Sequence, residues 1–178
     1  MALNKAMRNK IYIITLVISF IFLAGLAQAG GGGIMELKSP DFKDNQFMPA
    51  KFSCEGQDVN PELIISDIPL TAKSLVLIVD DPDAPSGTWI HWVVFNIPPL
   101  PRIAENSIPG KQGINSSGGK NYHGPCPPSG VHRYFFKLYA LDIELNLVEG
   151  VNKGQLEKAM HGHLLAEAQL LGLYKKNK

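Results

Sequence analysis

The sequence predicts a mainly β fold: a two-sheet antiparallel β-sandwich with a helix at its C-terminal end. Three observations carry that expectation. Short β-type runs recur through the middle of the chain, at Leu63 to Ile65, Leu75 to Val79, Trp89 to Phe95 and Tyr134 to Leu141. Proline and glycine punctuate the intervals between them, 13 and 17 in all. The tail from Lys153 to Tyr174 changes period, with Leu156, Ala159, Met160, His163, Leu164, Leu170 and Leu171 at three- and four-residue steps.

The chain starts with Lys5, Arg8 and Lys10 ahead of an apolar run from Ile11 to Leu26 that closes on Ala27-Gln28-Ala29. A basic stretch, a short apolar stretch and small residues at an A-x-A site are the parts of a secretory signal peptide, so cleavage is expected after Ala29. The alternative is an uncleaved anchor, for which the run is barely long enough. Removing residues 1–29 leaves 149 residues and 14 basic against 16 acidic groups, turning a formal charge of +1 into −2. The exported chain is therefore mildly acidic and carries no nucleic-acid footprint. A location in the periplasm or outside the cell follows. Residues 30–33 read as a flexible glycine leader, and residues 34–178 as a single domain able to bury one core without staples.

The first stretch of chemistry follows the apolar run Leu75 to Val79 directly. In Asp80-Asp81-Pro82-Asp83-Ala84-Pro85 the two prolines fix their own φ and push Asp81 and Ala84 to extended backbone, so the turn aims its carboxylates rigidly. A plain surface turn uses the same residues. Next comes Trp89-Ile90-His91-Trp92-Val93-Val94-Phe95, where period-two alternation puts Trp89, His91, Val93 and Phe95 on one face and Ile90, Trp92 and Val94 on the other. Both faces are apolar, so His91 is expected to be buried or at a pocket floor.

The third stretch is Tyr122-His123-Gly124-Pro125-Cys126-Pro127-Pro128-Ser129-Gly130, which feeds a strand with His132, Tyr134 and Phe136 on one face. Histidines, a tyrosine hydroxyl, a carboxylate and backbone N–H groups of a stiff loop suit a small anion such as a phosphate ester.

Taken together, Asp81-Pro82-Asp83-Ala84-Pro85, Trp89-x-His91-Trp92 and Gly124-Pro125 to Gly130-x-His132-Arg133-Tyr134 resemble the phosphatidylethanolamine-binding protein family. Phe52-x-Cys54-x-Gly56, Asn60-Pro61 and Gly162-His163-Leu164-Leu165-Ala166 resemble more narrowly its bacterial and archaeal branch, the Raf kinase inhibitor-like proteins. The resemblance spans about residues 35–174. It implies a two-sheet fold with a shallow anion pocket contacted by Asp81, His91, His132 and Tyr134, with Gly124 and Pro125 in the adjoining loop. The implied function is binding, without catalysis, of a small phosphorylated or anionic ligand akin to a phospholipid headgroup, with neither cofactor nor metal and with scope to modulate a protein partner. The stretch between Pro85 and His91 is shorter than in the eukaryotic members, and the Cys and Pro spacing of the 124–130 loop is its own, so pocket depth does not carry over.

Other assignments compete. A hydrolase would recruit Ser129 or Ser86 with His132 and Asp81, although no G-x-S-x-G elbow is present. A metal site would use Asp81, His91 and His132, without H-E-x-x-H. An interaction or inhibitor module would carry the pocket as a vestige. On a helix, His161 and His163 would point apart, with His163 toward the core, and Lys175-Lys176-Asn177-Lys178 would be a solvated end. Cys54 and Cys126 stand in glycine-containing loops, either as a disulfide or as two thiols.

Overall fold

The computed structural model describes residues 34–177; the expected signal peptide, its cleavage site and the start of the leader lie outside these residues. Nine strands and one α-helix are present among them, besides a 3-10 turn at Ala50–Phe52: β1 Glu36–Lys38, β2 Gln46–Phe47, β3 Leu63–Ser66, β4 Ser74–Asp81, β5 Trp89–Ile97, β6 Arg102–Ile103, β7 Lys111–Gln112, β8 His132–Leu141, α1 Lys153–Met160 and β9 Leu164–Tyr174. They form a three-stranded sheet in the order β1-β3-β6 and a six-stranded sheet in the order β2-β9-β8-β4-β5-β7. All pairings are antiparallel except the short β2-β9 contact.

β4 lies near the middle of the larger sheet and every one of its residues is buried, which is why its sequence is a continuous apolar run instead of an alternation. Leu75, Leu77 and Val79 face the smaller sheet and pack with Leu37, Leu63, Ile65 and Ile103. Val76 and Ile78 face the other way, into a second cluster with Val93, Phe95, Leu145, Val151, Leu156 and Met160. The helix thus covers the outer face of the large sheet. Each such side chain, fully buried, contributes roughly 1.5–3 kcal/mol.

The C-terminal segment divides differently from its apolar spacing. The helix starts at a capping box, with the Asn152 side chain accepting from Gln155 N and the Gln155 side chain accepting from Asn152 N, both at 2.9 Å. It stops at Met160 and does not run on to Tyr174. Gly162 adopts φ +85°, the left-handed position just past the helix end that glycine fills without a Cβ penalty. From Leu164 onward the chain is β9, paired with β8 from Leu141↔Leu164 to His132↔Tyr174. Leu170, Gly172 and Tyr174 alternate inward, and Ala166 and Ala168 pack against the inter-sheet core. His161 is exposed, and His163 is half-exposed and not core-facing; its Nδ1 lies 2.9 Å from Asp142 Oδ1 at the start of the strand.

Candidate functional site

The site lies where the ends of β4, β5 and β8 meet. Asp81 closes β4 with its side chain on the same face as Val79, and His132 opens β8 on the same face as Tyr134. Strand pairing brings these two ends side by side, and His132 Nδ1 lies 2.7 Å from Asp81 Oδ2 with both groups buried. The other Asp81 oxygen accepts from Asp83 N at 2.8 Å, so the proline-bracketed turn fixes the carboxylate. A carboxylate oxygen can only accept, so His132 Nδ1 carries the hydrogen and its free nitrogen is Nε2. Arg133, next to His132, donates from its backbone N and its Nε to Asp83 Oδ2 at 3.0 and 2.9 Å, and from a terminal nitrogen to Oδ1 at 2.7 Å. That guanidinium holds the Asp83 carboxyl below the usual range and straps the turn to β8.

His91 reaches the same cavity through an irregularity in β5. The β4-β5 register runs Val79↔Trp92 and then Asp80↔Ile90, a β-bulge at His91. Strict alternation across the strand therefore fails. Trp89 and His91 line the cavity, but Val93 and Phe95 point into the outer cluster, while Trp92 and Val94 join the inter-sheet core. The His91 Nδ1 lies 2.5 Å from the carbonyl of His123, which leaves Nε2 as its remaining nitrogen as well. Burial drives the His91 imidazole below its ordinary range, against the pull of the His123 carbonyl and the charge of Asp81.

Tyr134 stands beside His91, its ring edge-on to the imidazole at 5.1 Å. It is 1% exposed, and among the described residues its hydroxyl has no hydrogen-bond partner, a rare condition for a buried polar atom. Burial, with Asp81 and Asp83 adding to it, pushes the phenol well above its ordinary range, so the hydroxyl remains a donor.

The cavity holds about 300 Å³. Its buried floor is Asp81, His91, His132 and Tyr134, and Pro85, Ser86, Cys126 and Pro128 form the exposed rim. Trp89, His123 and Pro127 complete the walls. Trp89 was legible by its two-residue offset from His91; nothing local marks Pro127 as a wall. A larger groove of about 410 Å³ runs between the start of β1 and β9 over Met35, Leu37, Phe42 and Leu170, where no comparable set of inward polar groups converges.

Gly124 and Pro125, expected to touch a ligand, do not line the cavity. The Gly124 N–H donates to Asp58 Oδ1 at 2.6 Å, and a Cβ there would stand 2.3 Å from the Phe52 carbonyl. Pro125 has no N–H and offers its carbonyl to Cys54 N at 3.1 Å. Their part is to dock the loop. Cys54 and Cys126 are joined beside them, with Cα atoms 5.4 Å apart, so the rim residue Cys126 is anchored to the segment behind it.

The competing assignments fare unequally. Ser86 lines the cavity and Ser129 does not. The Nδ1 partners of His91 and His132 are a carbonyl and a carboxylate; among the described residues neither ring bonds a serine hydroxyl. No group of three or more His, Cys, Asp or Glu side chains among them is placed to hold a metal.

Residues 38–175 match the family model for phosphatidylethanolamine-binding protein. The chain belongs to that family. A UPF0098 protein of the archaeon Methanothermobacter thermautotrophicus is 49% identical over 150 residues, covering 80% of this chain and 99% of the relative. A UPF0098 protein of the bacterium Chlamydia trachomatis is 47% identical over 150 residues, covering 80% of this chain and all of its own. Among solved structures, the phosphatidylethanolamine-binding protein homologue CT736 of Chlamydia trachomatis superposes with TM-score 0.79 at 47% identity, over 81% of this chain and 99% of that one. E. coli YbcL, described as a member of the mammalian family, gives 0.75 at 27% identity, over 82% and 100%. Family membership agrees with the two sheets and the helix before β9 described above.

Proposed function

We propose that this chain binds a small phosphorylated or otherwise anionic ligand in the Asp81-His91-His132-Tyr134 cavity and releases it unchanged. The observation that carries this reading is the buried Tyr134 hydroxyl, without a hydrogen-bond partner among the described residues, in a cavity also lined by two imidazoles whose Nδ1 atoms are both engaged. Both Asp81 oxygens hold protein hydrogens, so the carboxylate's part in the site is to orient His132 and to offset its charge. Pocket occupancy would then be the signal passed to any protein partner.

The test is thermal unfolding with and without inorganic phosphate as pH is lowered from about 8 to 5, the span in which imidazoles titrate. The His91 ring is depressed in the folded protein, so the unfolded chain takes up a proton first, below about 6.5. Without phosphate, His91 therefore removes stability as pH falls through that window, until the folded ring protonates too. Phosphate reverses the sign by favouring protonated rings, so its stabilising increment grows as pH falls. At a hundredfold excess over Kd the increment is roughly 5–10 °C. An increment absent at every pH would refute the reading, and release of alcohol from a phosphate ester would replace it with a hydrolase.

We propose also that the chain is exported and cleaved after Ala29, supported by the basic-apolar-A-x-A order of its first 29 residues. N-terminal sequencing of protein from a host cell envelope should read Gly30 first; an intact Met1 would refute it.

A further inference from the structure

We infer that the bare edge of β9 takes up an extended segment of a partner protein as an added strand, one that carries a basic residue between two apolar ones.

β9 pairs with β8 from Leu164 to Tyr174, but on its other side it meets only β2, at Gln46↔Gly172 and Phe47↔Leu173. The bonds made there fix the orientation of its backbone. Leu171 N donates to Asp44 Oδ1 at 2.9 Å, and the Leu171 and Leu173 carbonyls accept from Asn45 N and Met48 N at 2.7 and 2.8 Å. Odd-numbered residues therefore turn their N–H and C=O away from β8. By the same alternation Glu167 and Gln169 do so too, and among the described residues nothing pairs with them. An unpaired edge is a template for another strand, which proteins commonly blunt with lysine or proline. Neither residue occurs from Leu164 to Leu170.

The space beside this edge has the form that an added strand requires. The groove of about 410 Å³ runs along Ala168, Gln169 and Leu170 and reaches across to Met35 and Leu37. It is open here because the inward residues of β9 are small: Ala166 and Ala168 precede the larger Leu170. A strand laid on the edge sends every second side chain to the inner face, into this groove. What such a side chain meets is Leu37, Phe42 and Leu170, all buried and apolar.

The alternate side chains of the added strand come to the outer face, beside Glu167. That carboxylate is exposed opposite Tyr139, and among the described residues no cation pairs with it; Lys137, on the same face, is held by Asp80 at 2.8 Å. A basic residue fits there. At the groove itself Lys38 is bound to Glu36, while Lys43 adds a positive charge, so one basic residue suits the site better than a run of them. A second copy of this chain suits it worse, because pairing β9 with β9 sets two Glu167 carboxylates on one face of neighbouring strands. Main-chain bonds would supply the affinity and the alternating side chains the selectivity.

The probe is the peptide acetyl-Thr-Leu-Arg-Leu-Thr-amide, added to protein isolated after export, with amide hydrogen exchange followed by NMR. Without peptide, Glu167 and Gln169 should exchange fast, and Ala168 and Leu170, whose amides face β8, slowly. Saturating peptide should slow Glu167 and Gln169 at least about tenfold. Of two versions of the peptide N-methylated at alternate amides, the one blocked on its edge-facing amides should bind at least about tenfold more weakly than the other. Glu167→Lys, by charge, and Ala168→Leu, by filling the groove, should each weaken binding of the parent peptide with the circular dichroism unchanged. Equal binding of the two methylated versions, unchanged exchange at Glu167 and Gln169 with peptide present, or parental affinity in both folded variants would overturn the inference. Slow exchange at Glu167 and Gln169 before any peptide is added would overturn it as well, since a second copy or the chain's own leader would then hold the edge.

Discussion

The double variant His91→Ala/His132→Ala is expected to bind inorganic phosphate at least about 100-fold more weakly than the parent. Each protonated imidazole supplies a hydrogen bond to a charged group, worth roughly 1.5–3 kcal/mol, so even partial overlap of the two effects leaves a loss of that size. Both side chains are nearly fully buried, at 4% and 7% exposure, so folding must be checked independently by near-UV circular dichroism. The variant also loses the buried His91 imidazole, whose protonation burial disfavours, so its unfolding temperature should depend less on pH between about 6.5 and 5. Calorimetry showing parental affinity in a folded double variant would remove both histidines from the site.

Breaking the Cys54–Cys126 link by Cys54→Ser/Cys126→Ser should lower stability by about 2–4 kcal/mol, read from urea unfolding. The connected residues are 72 apart in sequence, and an unlinked unfolded chain regains the entropy of that loop. The folded loop keeps other ties: Cys54 N to the Pro125 carbonyl at 3.1 Å, Gly124 N to Asp58 at 2.6 Å, and the Tyr122 hydroxyl to the Phe52 carbonyl at 3.0 Å. The variant should therefore still fold, with a Cys126 rim less firmly placed. Two titratable thiols in unreduced, denatured parent protein would contradict the pairing, and unchanged stability would show that the link contributes nothing.

Much of the architecture is legible in local pattern. β4 reads as a strand buried on both faces because no polar residue interrupts Leu75 to Val79. The capping box at Asn152 and Gln155 marks the helix start to the residue, since it is a contact between neighbours in sequence. The floor residues Asp81, His91, His132 and Tyr134 are named by the family resemblance of the Asp-Pro turn, the Trp89-x-His91-Trp92 strand and the His132-Arg133-Tyr134 run.

The limits of that legibility have physical reasons. Leu164 and Leu171, seven apart, fit a helical spacing, whereas Leu164 and Leu170 fit a strand alternation, and only the partner strand β8, with a hydrogen-bonding edge available, decides for the strand. Gly162 looks like a weak point inside a helix until its φ of +85° shows it as the stop. Alternation from Trp89 to Phe95 fails at His91 because a bulge is a property of two paired strands, and no single strand displays it. Gly124 and Pro125 look like ligand contacts because a stiff Gly-Pro loop exposes backbone; Asp58 and Cys54, about 70 residues away in sequence, claim those groups instead.

By itself, the sequence determined the fold class, the helix start and the chemical identity of the floor, all of which depend on periodicity, neighbour contacts and residue type. Tertiary structure alone decided that Asp81 faces His132, that His91 turns toward Tyr134, and that both Nδ1 atoms are engaged while the Tyr134 hydroxyl finds no partner among the described residues. Those are relations between strands far apart in the chain, and hydrogen bonds at 2.5–2.7 Å exist only after the sheet has chosen its register.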